Sequence, residues 1–329
     1  MKYIYSIHRR CFNSYIPHTI LVCILIYFVY IFRYNHESGV ILDEVSSYTK
    51  LVRQNIVLAR SRRDSKVFVE PFQSVSENFQ IVPEFKLAYC PIPEVMSSIM
   101  TSLVCYLYDS EEYFENQSVK MEGWMDLRPC RRRNELNDYL SLEKVFPEFN
   151  FKGLVVVRDP FERFVSNYVT KCLVVSNMVR NETCFNCPRN DLHCTIEQLE
   201  KALKEMTANS RSPRTFNYEI SQFAPITWYC KMDTFYRKAF FVRHGIFGND
   251  RHVMANQIAS ILRLSNTSQK KASFVAQSLT DEITWKHSGN ALVVKEEISS
   301  RIRNNQTLLT ILNNIYYHDY VIFDYELAQ

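Results

Sequence analysis

Apolar positions fall into two periods along this chain. Residues 154–157 form an unbroken apolar, mostly β-branched run, the pattern of a strand covered on both faces in a parallel sheet. Residues 85–90 read as an earlier strand, 91–98 as a loop and 99–108 as an apolar helix. Residues 239–243 read as a further strand leading into a helix from about 250 to 262, and late helices run through 291–303 and 308–317. Strands alternating with helices predict an α/β fold, a P-loop-like parallel sheet flanked by helices. The strand at 154–157 ends on Arg158. Asp159 is placed to cap the next helix, Pro160 suits its first position, and Glu162 stands three residues after the cap. Ligands of open α/β sheets bind at the carboxyl ends of strands, and helix amino termini attract anions, so Arg158 is placed to clamp an anion. Ser166, about two turns on, presents its hydroxyl to the same face. The competing reading is a surface arginine paired with Asp159 or Glu162.

A second pattern lies near the amino terminus, where residues 20–32 carry no charge and are almost all large and apolar. Counted from Ile16, the run reaches the short end of what spans a bilayer, about 17 residues. Tyr30, Phe32, Arg33 and Tyr34 offer no small-residue cleavage site, so the run reads as an uncleaved signal anchor. Lys2, Arg9 and Arg10 precede it, while Glu37, Asp43 and Glu44 follow. This predicts a cytosolic tail at 1–15, an anchor at 16–32, a stem at 33–83 and a lumenal domain at 84–329. A short span suits the thinner membranes early in the secretory route. Ile41, Val45, Tyr48, Val52 and Ile56 recur at helical spacing within the stem, fitting either packing onto the main domain or a homodimer.

Composition narrows the partners. A net charge of +4 over 329 residues gives no case for nucleic acid. Cys90, Cys105, Cys130, Cys172, Cys184, Cys187, Cys194 and Cys230 all follow the anchor, an even number suited to disulfides in an oxidising lumen. A zinc knuckle at Cys184, Cys187, His193 and Cys194 is disfavoured because it lacks a second clean pair, and no metal is expected. Asn116, Asn181, Asn266 and Asn305 begin N-x-Ser/Thr sequons.

The order of features resembles that of Golgi carbohydrate sulfotransferases of the chondroitin and dermatan type, and more closely a divergent invertebrate branch. The segment LAYCPIPEVMSSIM at 87–100 is similar to that family's loop for the 5′-phosphosulfate of 3′-phosphoadenosine 5′-phosphosulfate (PAPS). VVVRDPFERFVSNY at 155–168 resembles its 3′-phosphate motif and is the most specific match. FAPITWYC at 223–230 and YYHDYVIFDY at 316–325 resemble two further landmarks. The resemblance assigns Arg158 and Ser166 to the 3′-phosphate, and Ser97 and Ser98, with amides of the loop at 93–99, to the phosphosulfate. The bland alternative for the two serines is helix capping before Ile99. The activity implied is sulfuryl transfer from PAPS to a glycosaminoglycan-like acceptor at the Golgi membrane, without magnesium.

Two departures stand out. Glu94 occupies the place of a usual lysine, and Gln222 that of a usual histidine. Lys86 is a possible substitute cation. For the general base, spacing leaves His193, His244, His252, His287, Glu122 and Asp126 open. Arg128, Arg131, Arg132 and Arg133 with Trp124 form either a grip for an anionic sugar chain or a solvated loop. No G-x-x-x-x-G-K-[ST] supports a kinase, and no Asp-x-Asp a glycosyltransferase. The rival from another class is a catalytically dead binding protein of the same fold.

Overall fold

A computed structural model describes residues 17–61, 67–115, 130–175, 184–188, 190–208, 218–245, 248–281 and 289–329. For 17–38 it gives the backbone, with side chains only at Ile24 and Tyr27. Five strands form one sheet: β1 (Phe79–Val82), β2 (Leu87–Tyr89), β3 (Glu135–Leu136), β4 (Lys152–Val157) and β5 (Ala239–Arg243), in the order β3-β1-β2-β4-β5. The longer helices are α1 (Pro17–Ser61), α2 (Ser97–Tyr108), α3 (Pro160–Asn167), α4 (Leu192–Ala208), α5 (Gly248–Leu264), α6 (Gln269–Thr280), α7 (Gly289–Arg303) and α8 (Gln306–Phe323).

The expected fold class holds as an α/β sheet flanked by helices, but the sheet is mixed. β2, β4 and β5 run parallel, with Tyr89 opposite Leu154 and Val157 opposite Arg243. β1 is antiparallel to both β2 and β3. The reason lies in residues 83–86, of which Phe85 and Lys86 are expected from sequence to open a strand. Pro83–Phe85 is a 3-10 turn and Lys86 is left-handed, with φ +48°. That tight reversal folds β1 back on β2, and so short a connection permits only antiparallel pairing. Gly153 is needed for close packing, because a Cβ there would stand 2.7 Å from the Phe235 ring and 2.9 Å from the Ala239 Cα.

The chain divides into two compact units, Met1–Glu44 and Val45–Gln329. In the first, the described residues are the amino-terminal part of α1, where Ile24 and Tyr27 are exposed. Among the described residues no helix is long and apolar enough to cross a membrane. Of the expected anchor, Ile16 and all side chains but those of Ile24 and Tyr27 lie outside the described residues.

The second unit absorbs much of the expected stem. Val45, Val52 and Ile56 are buried in its core. Thr49 Oγ1 accepts from the Phe241 amide at 3.1 Å, while Arg53 donates to the Tyr236 and Ala239 carbonyls at 3.1 and 3.0 Å. This part of α1 therefore seals the exposed edge of β5, where unpaired backbone groups would otherwise face outward. From Val45 to Ile56 the apolar stripe is spent inside the protomer, which removes that part of it as a dimer interface.

All eight cysteines beyond the expected anchor are paired, as Cys90–Cys230, Cys105–Cys130, Cys172–Cys184 and Cys187–Cys194. The last two bridges fall within the loop expected to be stapled. Asn266 is exposed in a turn, whereas the Asn305 side chain caps α8; Asn116 and Asn181 lie outside the described residues. Cys90–Cys230 spans 140 residues and ties the end of β2 to the segment at 223–230. Replacing both cysteines by alanine is expected to lower stability by about 2–5 kcal/mol, read from denaturant unfolding of the full chain.

Candidate active site

The carboxyl end of β2 leads into the loop at 91–96, and that of β4 into Arg158 and α3. Two residues of the loop, Glu94 and Met96, are left-handed, each with φ +58°. Left-handed residues alternating with ordinary ones can form a backbone nest for anions, although the Val95 amide here is given to the Ile92 carbonyl at 3.2 Å. α2 begins at Ser97 directly after Met96, and no side chain caps it. The first amides of a helix have no intrahelical partner, so this start remains a set of donors. Ser97 and Ser98 therefore do not act as caps; they line a cavity.

On the other turn, Asp159 Oδ1 accepts from the Glu162 amide at 2.9 Å, the cap read from sequence. Glu162 does not complete the reciprocal box. Its carboxylate stands 3.7 Å from Arg158 Nε instead. Arg158 is only 9% exposed, so it is no surface arginine. Its Nη1 donates to the Glu94 carbonyl at 3.0 Å, while Nε is buried with no hydrogen-bond partner among the described residues. Burial pulls this guanidinium's pKa down, Glu162, Glu94 and Asp159 push it back, and Arg163 adds to the fall. The Glu162 carboxylate balances the charge at 3.7 Å without a hydrogen bond, so an incoming anion would give this buried donor the bond it lacks.

Arg158, Ser166, Ser97 and Ser98 all line one cavity of about 370 Å³, together with Glu94, Glu162, His244, Arg251 and Lys295. Glu94, at the position of the departure from the family pattern, turns its carboxylate onto Ser166, whose hydroxyl donates to Oε2 at 2.8 Å. The expected hydroxyl ligand is thus already engaged by an acid of this chain. Lys86 does not compensate. It sits before β2, at the end opposite the loop, and lines neither this cavity nor the one beside it. The lysine that lines the cavity is Lys295 on α7. Burial and Arg158 lower its pKa, while Glu94 and Glu162 raise it. Sequence offered no signal for Lys295, which lies in an unremarkable stretch of a late helix.

Among the candidate bases, only His244 of those described faces this cavity. Burial first, then Arg158, Lys295 and Arg251, hold its pKa down to about 3. It is neutral at ordinary pH and a weak base. His193 pairs with Glu197 at 3.3 Å on α4, and His252 is exposed on α5. His287, Glu122, Asp126, Trp124 and Arg128 lie outside the described residues. Arg133 of the basic cluster is held between Asp109 and Glu112 and lies over the Tyr108 ring.

A second cavity, of about 410 Å³, shares Glu94, Ser97 and Ser98 with the first. Gln80, Thr101, Glu135, Lys171, Tyr218 and Gln222 also line it. Lys171 comes from a π-helical continuation of α3, Tyr168–Val175, a local distortion often found at functional sites.

What brings the two turns together is Arg163, 1% exposed. It donates to the carbonyls of Pro93, Ala224 and Gln222 at 3.0, 2.7 and 3.0 Å, and to the Tyr229 hydroxyl at 3.0 Å. One side chain of α3 thus joins the loop at 91–96 to the segment at 222–229. That segment is pinned in turn by Asp319 of α8, whose buried carboxylate accepts from the Ile226 and Thr227 amides. Burial raises the Asp319 pKa to about 6 despite those bonds.

With this geometry in place, known proteins give the comparison. The sulfotransferase family's sequence profile matches residues 77–326. The chain belongs to the sulfotransferase family. It is 26% identical over 294 residues to the carbohydrate sulfotransferase chst-1 of Caenorhabditis elegans, covering 85% of this chain and 87% of that protein. It is 24% identical over 253 residues to the putative sulfotransferase vep-2 of the same organism, covering 75% and 76%. No solved structure matches the chain significantly.

Arg163→Met leaves three carbonyls without their donor, each worth about 1–3 kcal/mol when buried. A loss of more than about 3 kcal/mol is expected in denaturant unfolding, against under about 0.5 kcal/mol for the exposed Lys201→Met, a surface substitution.

Proposed function

We propose that this sulfotransferase moves a sulfuryl group from PAPS to a hydroxyl of a carbohydrate, with the catalytic unit in the Golgi lumen behind an amino-terminal anchor. The observation that carries the donor assignment is the single cavity onto which Arg158, Ser166 and the uncapped start of α2 all open. Arg158 and Ser166 hold the 3′-phosphate. The amides of the helix start, with Ser97 and Ser98, hold the phosphosulfate. The donor supplies an activated sulfuryl group, and the protein's task is to align it and neutralise charge. Lys295 takes the part that a lysine at position 94 would have, facing the same cavity from α7. The four disulfides among the described residues fit an oxidising compartment, and the carbohydrate acceptor follows the relative chst-1.

A second reading, donor binding without turnover, has one observation in its favour. The Glu94 carboxylate rests on Ser166, where the 3′-phosphate must enter, so donor binding has to displace it. Transfer of labelled sulfate from PAPS to sugar acceptors separates the two readings, and its absence despite donor binding supports the second.

Calorimetry of 3′,5′-bisphosphoadenosine (PAP) with the full chain in detergent tests the donor site. Arg158→Ala removes a charged contact worth about 1.5–3 kcal/mol, so affinity should fall about tenfold or more. Ser166→Ala should weaken binding less. Glu94→Gln should tighten it several-fold, because a competing negative charge is gone. Unchanged affinity in all three variants would remove the pocket from the account.

A further inference from the structure

We propose that the second cavity is the acceptor site and that it takes a sugar of an uncharged oligosaccharide, not one carried between the uronates of a polyanionic chain. This rests on the donor reading above, since it needs a phosphosulfate at the helix start that both cavities share. A hydroxyl must attack sulfur from the side opposite the leaving phosphate. The wall common to the cavities, formed by Glu94, Ser97 and Ser98, is where sulfur would lie between the two. An acceptor in the second cavity approaches it from that opposite side.

The lining defines the chemistry. Gln80 is 3% exposed, and its Nε2 donates to Thr101 Oγ1 at 3.0 Å, while its Oε1 is buried without a partner among the described residues. A buried acceptor on a cavity wall wants a hydroxyl or N–H donor from whatever enters. Tyr218 is 49% exposed, so its ring is open to the apolar face of a pyranose and its hydroxyl to the polar edge. The side chain of Gln222 adds an amide. The cavity's volume lies in the usual range for small-ligand sites, about 300–1,000 Å³.

Charge then selects among sugars. The described lining has one cation, Lys171, against the two carboxylates of Glu94 and Glu135. Arg133 of the basic cluster is bound by Asp109 and Glu112. A uronate entering here meets more carboxylates than cations among the described residues, whereas a neutral hexose or N-acetylhexosamine meets amides and a ring. In the transfer, the acceptor oxygen forms the new bond to sulfur and the bond from sulfur to the 5′-phosphate oxygen breaks. PAP leaves with the electron pair. The hydroxyl proton passes to Glu94, the one described carboxylate lining both cavities.

The test is transfer of labelled sulfate from PAPS by the full chain, in detergent, to a neutral N-acetylhexosamine oligosaccharide and to desulfated chondroitin, with PAP affinity measured alongside. We expect at least tenfold more transfer to the neutral acceptor. Tyr218→Ala, a change at an exposed site, should raise the acceptor KM about fivefold or more and leave PAP affinity unchanged. Preferred transfer to chondroitin overturns the proposal, as does an acceptor KM that Tyr218→Ala does not move. PAP binding without transfer to either sugar also overturns it, leaving the donor site standing. Absence of PAP binding overturns the donor reading itself, and the proposal with it.

Discussion

The site depends on one buried guanidinium. Arg163 belongs to the helix that follows Arg158, yet none of its side-chain bonds holds that helix together. All four go elsewhere, to the loop before α2 and to the segment at 222–229. Its fork geometry suits the task, since fixed N–H directions reach several carbonyls at once where an ammonium could not. A charge this deep is costly unless its donors are used. Only an arrangement that keeps the carbonyls of Pro93, Ala224 and Gln222 around it satisfies them. The distance between the two anion-binding turns is thereby set by the fold before any ligand arrives, which is the preorganisation that a transfer reaction requires.

Around that fixed point the charges are balanced. Arg158, Arg251 and Lys295 face Glu94, Glu162 and Glu296 across the first cavity. Without a ligand, the chain's own carboxylates partner its anion-binding groups, and Glu94 on Ser166 is the most direct case. A lysine at position 94 would lie on the loop itself. Here the cation comes from α7, so the geometry of the late helices bears on the chemistry of the early loop. The segments at 223–230 and 316–325 serve the same arrangement as struts. Asp319 takes two amides of one, and the Tyr316 hydroxyl donates to the Phe223 carbonyl at 2.8 Å.

Local signals in the chain revealed the parts whose causes are local. The apolar run before Arg158 and the Asp159-Pro160 start of α3 are short-range physics, and both stand where the pattern put them. The reversal at 83–86 was hidden because the turn is made by the left-handed Lys86, a residue with no such preference. The burial of α1 against β5 was legible only as one of two uses for an apolar stripe, since periodicity identifies a face and not its partner. Lys295 and Arg163 were illegible. Their roles depend on which segments the tertiary fold brings within reach, and neither residue type nor spacing carries that information. Ser97 illustrates the middle case. Sequence left it between cap and ligand, and the left-handed Met96 ahead of it decides against the cap.

A structure of the full chain with PAP bound tests the central claim most directly. The account predicts the 3′-phosphate on Arg158 and Ser166, the Glu94 carboxylate turned away from that hydroxyl, and the 5′-phosphate on the amides at the start of α2. The distance between Arg163 and the Pro93 carbonyl should remain as it is without the nucleotide. A nucleotide held by one turn alone, with its other phosphate in solvent or on another face of the sheet, would contradict it.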